Sequence, residues 1–201
     1  MQKMKNKKLF SNRQLTSIGL LSAISIFMGL SGVGFIPLPF MKATIMHIPV
    51  IIGAIIEGPL VGATVGLVFG IFSIYQNITA PTAMSVVFMN PIIAIVPRIL
   101  IGITSYYVYK YIIKKFNKEK LAYALSAAVG SLTNTIGVLG LTYVLCLKQY
   151  AEAKQISTDA VGGMIATVVA TNGLIECIIT VIILIPVLSG LVRVFKYKVK
   201  N

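Results

Sequence analysis

Residues 46–73 read MHIPVIIGAIIEGPLVGATVGLVFGIFS, two apolar runs with a single acidic residue between them. That acidic residue stands directly before Gly58 and Pro59, a pair that marks a tight turn. A helix that crosses a bilayer needs about 20 mainly apolar residues. We therefore expect two successive membrane spans, at roughly residues 41–57 and 59–76, joined by a short turn on one side of the membrane.

The whole chain has the composition of an integral membrane protein. Of its 201 residues, 57% are hydrophobic and 11% are charged, whereas about a quarter of the residues in a typical soluble domain are charged. The mean hydropathy is +0.90. We expect one all-α membrane domain over residues 1–201, with a basic N-terminus at 1–13, a bundle at 14–193 and a basic tail at 194–201. Its six transmembrane helices are predicted at residues 14–34, 41–57, 59–76, 90–112, 121–146 and 162–193.

The formal net charge of +13 is distributed along the chain in a way that indicates a membrane orientation rather than a nucleic-acid partner. Most of the 18 Lys and Arg residues lie in three clusters beside apolar runs. These clusters are Lys3, Lys5, Lys7, Lys8 and Arg13, then Lys110, Lys114, Lys115, Lys118 and Lys120, then Arg193, Lys196, Lys198 and Lys200. Because the cytoplasmic flanks of membrane spans are enriched in Lys and Arg, we expect cytoplasmic N- and C-termini and a multi-pass location in the cell membrane.

Small residues recur at four-residue spacing, which places them on one face of a helix. Gly62, Gly66 and Gly70 form a GxxxGxxxG pattern, and Gly19 with Ala23 forms a GxxxA pattern. Such faces let another helix approach closely. Packing within the chain is the favoured interpretation, and docking of another membrane protein is the alternative, so all five residues are candidates for partner docking.

Ionisable and amide side chains inside predicted spans are the main candidates for a binding site, since such groups are costly in a membrane and tend to be functional. Arg98 lies in the fourth span, Asn134 in the fifth, and Asn172 and Glu176 in the sixth. A guanidinium suits a carboxylate on a small ligand, and the amides could bind a ligand's hydroxyls or amide. The alternative is an Arg98–Glu176 pair that locks two helices together, with the amides bridging helices.

Further candidates for ligand contact lie where the predicted spans meet the outer loops. They are Tyr75, Gln76, Asn77, Asn90, Lys42 and His47. A tyrosine at this depth is equally expected as an anchor at the membrane interface, and Lys42 could instead extend to solvent. His47 could touch a ligand from above, although its segment is better interpreted as part of the frame around the site.

Enzyme chemistry has little support in the sequence. The chain has one histidine and one aspartate, so neither a metal-binding His-carboxylate set nor a Ser-His-Asp arrangement can be built within the spans. Nucleotide-binding and HExxH motifs are also missing from it. We therefore expect a protein without catalytic residues, metal or cofactor, and one that takes its energy from a gradient or from a partner.

Four stretches of the chain resemble a known family. They are GLLSA at residues 19–23, the segment 46–73 quoted above, PTAMSVVFMNP at 81–91 and VPRILIGITSYYVYK at 96–110. Together with the basic start, they resemble the substrate-binding S components of energy-coupling factor (ECF) vitamin transporters, most closely the pantothenate type.

The resemblance implies a six-helix membrane protein that binds a vitamin near its outer face, mainly among spans four to six. It also implies docking on a coupling membrane protein and two ATPase subunits, with Gly19 and Ala23 in the motif that contacts the coupling protein. Two alternatives stay open. One is an S component for riboflavin, folate or a pyrimidine, and the other is an autonomous ion-coupled carrier in which Glu176 is the coupling group.

Overall fold

We describe residues 9–37, 43–82 and 84–200 of a computed structural model. The described chain forms nine α-helices: α1 (Asn12–Leu30), α2 (Ile48–Glu57), α3 (Pro59–Thr79), α4 (Ser85–Phe88), α5 (Pro91–Phe116), α6 (Glu119–Leu145), α7 (Leu147–Lys154), α8 (Val161–Val168) and α9 (Leu174–Lys200). A short antiparallel hairpin, β1 (Phe35–Ile36) and β2 (Ala43–Thr44), lies between α1 and α2. A 3₁₀ turn (Thr158–Ala160) precedes α8, and a π-helical turn (Val169–Gly173) joins α8 to α9.

Within the described residues, five helical stretches are long and apolar enough to cross a membrane. They are α1, α3, α5, α6 and the continuous stretch Thr158–Val194. These helices agree with five of the expected spans, and the all-α membrane class is confirmed. The count of six transmembrane helices, the cytoplasmic side of the termini and the division into one domain with two basic ends stay predictions.

The expected bounds of the second span, residues 41–57, are corrected by the structure. The helix in this region, α2, has ten residues, about 15 Å at 1.5 Å per residue, which is half of a bilayer core. Pro49 in the first turn starts the helix, and Gly58, whose φ of 106° favours glycine, ends it. The side chains from Ile48 to Ile55 are all buried, so α2 is a core helix surrounded by the longer ones.

The three glycines of α3 pack against α5 inside this chain, and a docking role for them is corrected. Along α3, a Cβ added at Gly66 or Gly70 would collide with the backbone of Arg98 or Ala94, respectively. A Cβ at Gly62 would lie 3.0 Å from Gly102 Cα on α5 and would also collide with Ala54 on α2. The residue numbers along α5 decrease from Gly102 to Ala94 as those along α3 increase from Gly62 to Gly70, so the two helices are antiparallel. All three glycines are buried under α5, which leaves no room for another protein at that face.

The start of α1 is tied to the turn between α2 and α3. Ser11 and Gln14 form a reciprocal capping box, and Arg13 Nε donates to Glu57 Oε1 at 2.7 Å. We call this end of the bundle the basic end, because the last turn of α5 with Lys114 and Lys115 lies there as well. The opposite end is called the cavity end below.

Gly19 and Ala23 lie on the outside of α1. Both residues are exposed, and a Cβ at Gly19 would meet no atom within 4 Å among the described residues. The neighbouring side chains Leu20 and Phe27 are 61% and 68% exposed. This face of α1 is therefore apolar, lined with small residues and not covered by the described part of the chain.

Candidate functional site

A cavity of about 450 Å³ lies at the cavity end of the bundle, within the range of about 300–1,000 Å³ typical of small-molecule sites. The hairpin, the loop with α4, and the helices α3, α5, α6, α7 and α9 all contribute to its wall. Its polar lining consists of Thr44, Ser73, Gln76, Asn77, Thr82, Arg98, Asn134, Thr135, Lys154, Asn172 and Glu176. Its apolar lining includes Phe35, Met46, Phe69, Met84, Phe88, Val138, Leu139 and Val168.

The position of the Arg98 side chain follows from the proline before it. Pro97 lies inside α5 and has no N–H, so the carbonyl of Ile93, four residues earlier, loses its helical donor. Arg98 Nη1 donates to that carbonyl at 2.7 Å, and the guanidinium lies 5.5 Å from the centroid of the Phe69 ring. Arg98 is 5% exposed, and its Nε has no hydrogen-bond partner among the described residues. This buried donor thus has no protein partner among the described residues, and it belongs to a side chain that lines the cavity.

Asn134 provides an unused acceptor on the α6 side of the same cavity. The residue is 4% exposed, and its Oδ1 has no partner within the described parts of the chain. Buried polar atoms are normally hydrogen-bonded. Asn134 is therefore a cavity-lining residue whose amide oxygen has no described protein partner.

The π-helical turn brings Asn172 into the wall. Turns of this kind are rare within α-helices and occur frequently at functional sites. Asn172 and Gly173 are buried in the turn, and a Cβ at Gly173 would lie 3.4 Å from Thr135 Cγ2. The turn thus lets the last long helical stretch approach α6 closely, which sets Asn172 beside the cavity.

Glu176 lines the cavity, but both of its carboxylate oxygens already accept hydrogen bonds. The backbone N–H of Thr44 donates to Oε1 at 2.7 Å, and the hydroxyl of Thr135 donates to Oε2 at 2.6 Å. The direct Arg98–Glu176 ion pair considered from the sequence is not formed between these two described side chains, whose N–O distances exceed the 4.0 Å limit for an ion pair. The two charges instead face the same cavity.

Gln76 and Asn77 also line the cavity, and both form hydrogen bonds to neighbouring parts of the chain. Gln76 Nε2 donates to the carbonyl of Gly29 on α1 at 3.1 Å. Asn77 Nδ2 donates to the carbonyl of Ser73 at 2.8 Å, and its Oδ1 accepts from the Ser85 hydroxyl at 2.9 Å. The Gln76 bond thus connects α3 to α1, and the Ser85 bond connects the end of α3 to α4.

Three other candidates lie away from the cavity, which corrects their expected role as ligand contacts. Tyr75 is 55% exposed on the outside of α3. Asn90 caps α5, since its Oδ1 accepts from the N–H of Ile92 at 3.0 Å. His47 is fully buried behind the wall, with its Nε2 2.9 Å from the Thr180 hydroxyl. Lys42, the tenth candidate, lies outside the described residues.

Several lining residues were not among the candidates. Thr44 contributes through the hairpin, which no periodicity of the sequence indicates, and Lys154 comes from α7, which follows α6. Thr135 directly follows Asn134 and could have been found from that position. The charged residues in the described lining are Arg98, Lys154 and Glu176, so the formal charge of the wall is one positive unit.

Comparison with known proteins gives a family. A sequence model of the family described as "ECF transporter, substrate-specific component" matches residues 13–188. The chain is 33% identical over 171 residues to the pantothenic acid transporter PanT of Lactococcus lactis subsp. cremoris (strain MG1363), which covers 78% of this chain and 81% of the relative. It is 29% identical over 164 residues to the pantothenate transporter PanT of Leuconostoc mesenteroides subsp. mesenteroides, which covers 78% of this chain and 80% of the relative.

These matches confirm the resemblance noted in the sequence. Together with the long apolar helices, they make the chain a multi-pass protein of the cell membrane that takes part in transport.

Proposed function

The chain belongs to the substrate-specific components of ECF transporters, and we propose that it captures pantothenate in the cavity for import. Two similar proteins carry pantothenate in their names. The cavity end faces outwards and the basic end faces the cytoplasm, in keeping with the enrichment of Lys and Arg on cytoplasmic flanks.

The assignment of pantothenate rests on two buried polar atoms that have no hydrogen-bond partner among the described residues. Both belong to side chains of a cavity wall with a net positive formal charge. Pantothenate has one carboxylate, so its charge complements the single positive unit formed by Arg98, Lys154 and Glu176. Arg98 Nε is a buried donor and Asn134 Oδ1 a buried acceptor, neither with a partner among the described residues. A monoanion that also carries hydroxyl and amide groups satisfies both.

The carboxylate of pantothenate binds at Arg98, because a charge-assisted bond to a guanidinium is among the strongest available to a carboxylate. Asn134 accepts a hydrogen bond from a hydroxyl or from the amide N–H of the vitamin, and Asn172 lies on the neighbouring wall. The methyl groups of pantothenate contact the apolar side chains of Val138 and Leu139 on α6.

Import requires an energy source outside this chain. In this proposal, a coupling membrane protein contacts the exposed face of α1 at Gly19 and Ala23, and two ATPase subunits act through that protein. The face fits such a role because it is apolar and uncovered over the described residues, and small residues allow close helix approach.

Isothermal titration of the purified full chain in detergent tests the ligand. Pantothenate should bind with a Kd below about 1 μM, which corresponds to more than about 8 kcal/mol of binding free energy. Riboflavin, folate and pyrimidine precursors should show no heat of binding under the same conditions. Binding of one of those compounds in place of pantothenate would assign the chain to a different substrate.

A further inference from the structure

We propose that Glu176 is a positioning residue, which fastens the hairpin segment to α6 and α9 and so builds one wall of the cavity without contacting the ligand. The inference rests on the proposed function only where it concerns release of pantothenate. Its structural part concerns the ligand-free protein and stands by itself.

The first observation is that each oxygen of the carboxylate accepts a hydrogen bond from a distant part of the chain. Glu176 is 6% exposed. Its Oε1 accepts from the backbone N–H of Thr44, 132 residues away, and its Oε2 accepts from the Thr135 hydroxyl, 41 residues away. One side chain thus connects three separate parts of the chain, namely β2, α6 and α9.

The second observation is that the residues after Thr44 are held in the same way. His47 bonds Thr180, which lies one helical turn beyond Glu176 on α9. The carbonyl of Met46 accepts from the Ser25 hydroxyl on α1 at 2.9 Å. The segment 44–47 is therefore bonded to two helices, α1 and α9, and the Glu176 bond holds its first residue.

The third observation is that this segment forms part of the wall. Phe35, Thr44 and Met46 line the cavity, and Phe35 pairs with Thr44 across the hairpin. Loss of the bond between Glu176 and Thr44 would leave a backbone N–H without a partner and would free the strand to move away from α9.

Two substitutions of Glu176 distinguish the effect of its side-chain length from the effect of its negative charge. In Glu176→Gln the amide oxygen can still accept from Thr44, and the amide N–H₂ can donate to Thr135. The Thr135 hydroxyl can then donate to the Ser131 carbonyl, 3.3 Å away. Glu176→Asp keeps the charge but is one methylene shorter, so it cannot reach Thr44 and Thr135 together. A positioning role requires the full length of the Glu176 side chain, whereas a role in binding or ion coupling requires its negative charge.

The experiment is hydrogen–deuterium exchange of the full-length, ligand-free protein in detergent, followed by mass spectrometry. We expect Glu176→Asp to speed exchange of the amides in residues 43–48 about tenfold, the size expected for loss of one buried hydrogen bond. Glu176→Gln should leave these amides within about threefold of the wild-type rate by the same measure. Exchange of the amides in residues 62–70 should not change in either Glu176 variant. The control variant Glu152→Gln, which alters an exposed residue, should not change exchange in residues 43–48.

Release of labelled pantothenate provides a second readout. Glu176→Asp should speed dissociation about tenfold, whereas Glu176→Gln, which keeps the side-chain length and removes a negative charge from the wall, should not speed it. Equal or greater acceleration by Gln than by Asp, in either measurement, would overturn the proposal and assign Glu176 a charge-dependent role. Unchanged exchange in both variants would overturn it as well. If pantothenate does not bind, the exchange data still decide the positioning role, while the ligand assignment fails separately.

Discussion

Substitution of Gly66 by alanine tests the packing that holds the site. The ideal Cβ at this position would collide with the carbonyl oxygen of Arg98 and lie 2.7 Å from its carbonyl carbon. Backbone atoms cannot rotate away as a flexible side chain could, so α3 and α5 must separate. The carbonyl that is displaced belongs to the arginine that we assign to the ligand, and the substitution should therefore affect both stability and binding.

The magnitude follows from two opposing effects. Overpacking of a dense core costs about 1–3 kcal/mol, and the backbone collision at Gly66 places it near the upper value. Alanine gains about 1 kcal/mol over glycine in helix propensity, which leaves a net loss of about 2 kcal/mol. For a chain of this length, a loss of that size lowers Tm by about 4–8 °C.

Gly140→Ala is the matched control, since it makes the same chemical change inside α6, where a Cβ would meet no atom within 4 Å among the described residues. Thermal unfolding in detergent, followed with a thiol-reactive dye, measures both variants. Gly66→Ala should unfold at a lower temperature and bind pantothenate more weakly, whereas Gly140→Ala should match or exceed the wild-type Tm. Equal Tm values for the two variants would refute the assigned contact between α3 and α5.

Three further outcomes are expected. Asn134→Leu should weaken pantothenate binding about tenfold in titration calorimetry without lowering Tm, because the change removes a buried oxygen that has no partner among the described residues; a lower Tm with unchanged affinity would contradict this. Gly19→Leu should leave pantothenate affinity unchanged but abolish co-purification with the coupling and ATPase subunits, and normal co-purification would exclude this face of α1. Glu57→Gln should cost at most about 1 kcal/mol in chemical unfolding, because its partner Arg13 is 54% exposed and the pair is screened by solvent; a larger loss would show that the pair is more than a surface contact.

The sequence predicted the long helices well because each membrane-spanning helix is a continuous apolar run, and several of these runs have Lys and Arg residues beside them. The second span was misjudged for a physical reason. Residues 43 and 44 are apolar or small enough to continue the run, but they pair with Phe35 and Ile36 in a hairpin, and such pairing cannot be read from hydropathy. The helix then begins only at Ile48.

The polar residues of the site were only partly predictable. Depth in the spans identified Arg98, Asn134, Asn172 and Glu176, and the structure brings all four to one cavity. What each side chain bonds to depends on contacts far apart in sequence, such as the bond between Glu176 and Thr44. The direct ion pair considered for Arg98 was plausible by charge alone, yet Arg98 Nη1 bonds the carbonyl of Ile93, and Glu176 accepts from Thr44 and Thr135.

Glycine spacing illustrates the same limit. The pattern at Gly62, Gly66 and Gly70 correctly indicated a close helix contact, but a pattern does not identify the partner. The structure shows α5 as the partner. The weaker pattern at Gly19 and Ala23 is the one left uncovered.

The central claim is that Arg98 recognises the carboxylate of pantothenate, and a thermodynamic cycle tests it most directly. Binding of pantothenate and of its primary amide is measured by titration calorimetry for the wild type and for Arg98→Gln. In the wild type, conversion of the acid to the amide should weaken binding about 10- to 100-fold, the range for a charge-assisted hydrogen bond. In Arg98→Gln the acid and the amide should bind with nearly equal affinity. The same acid-to-amide ratio in both proteins would contradict the account.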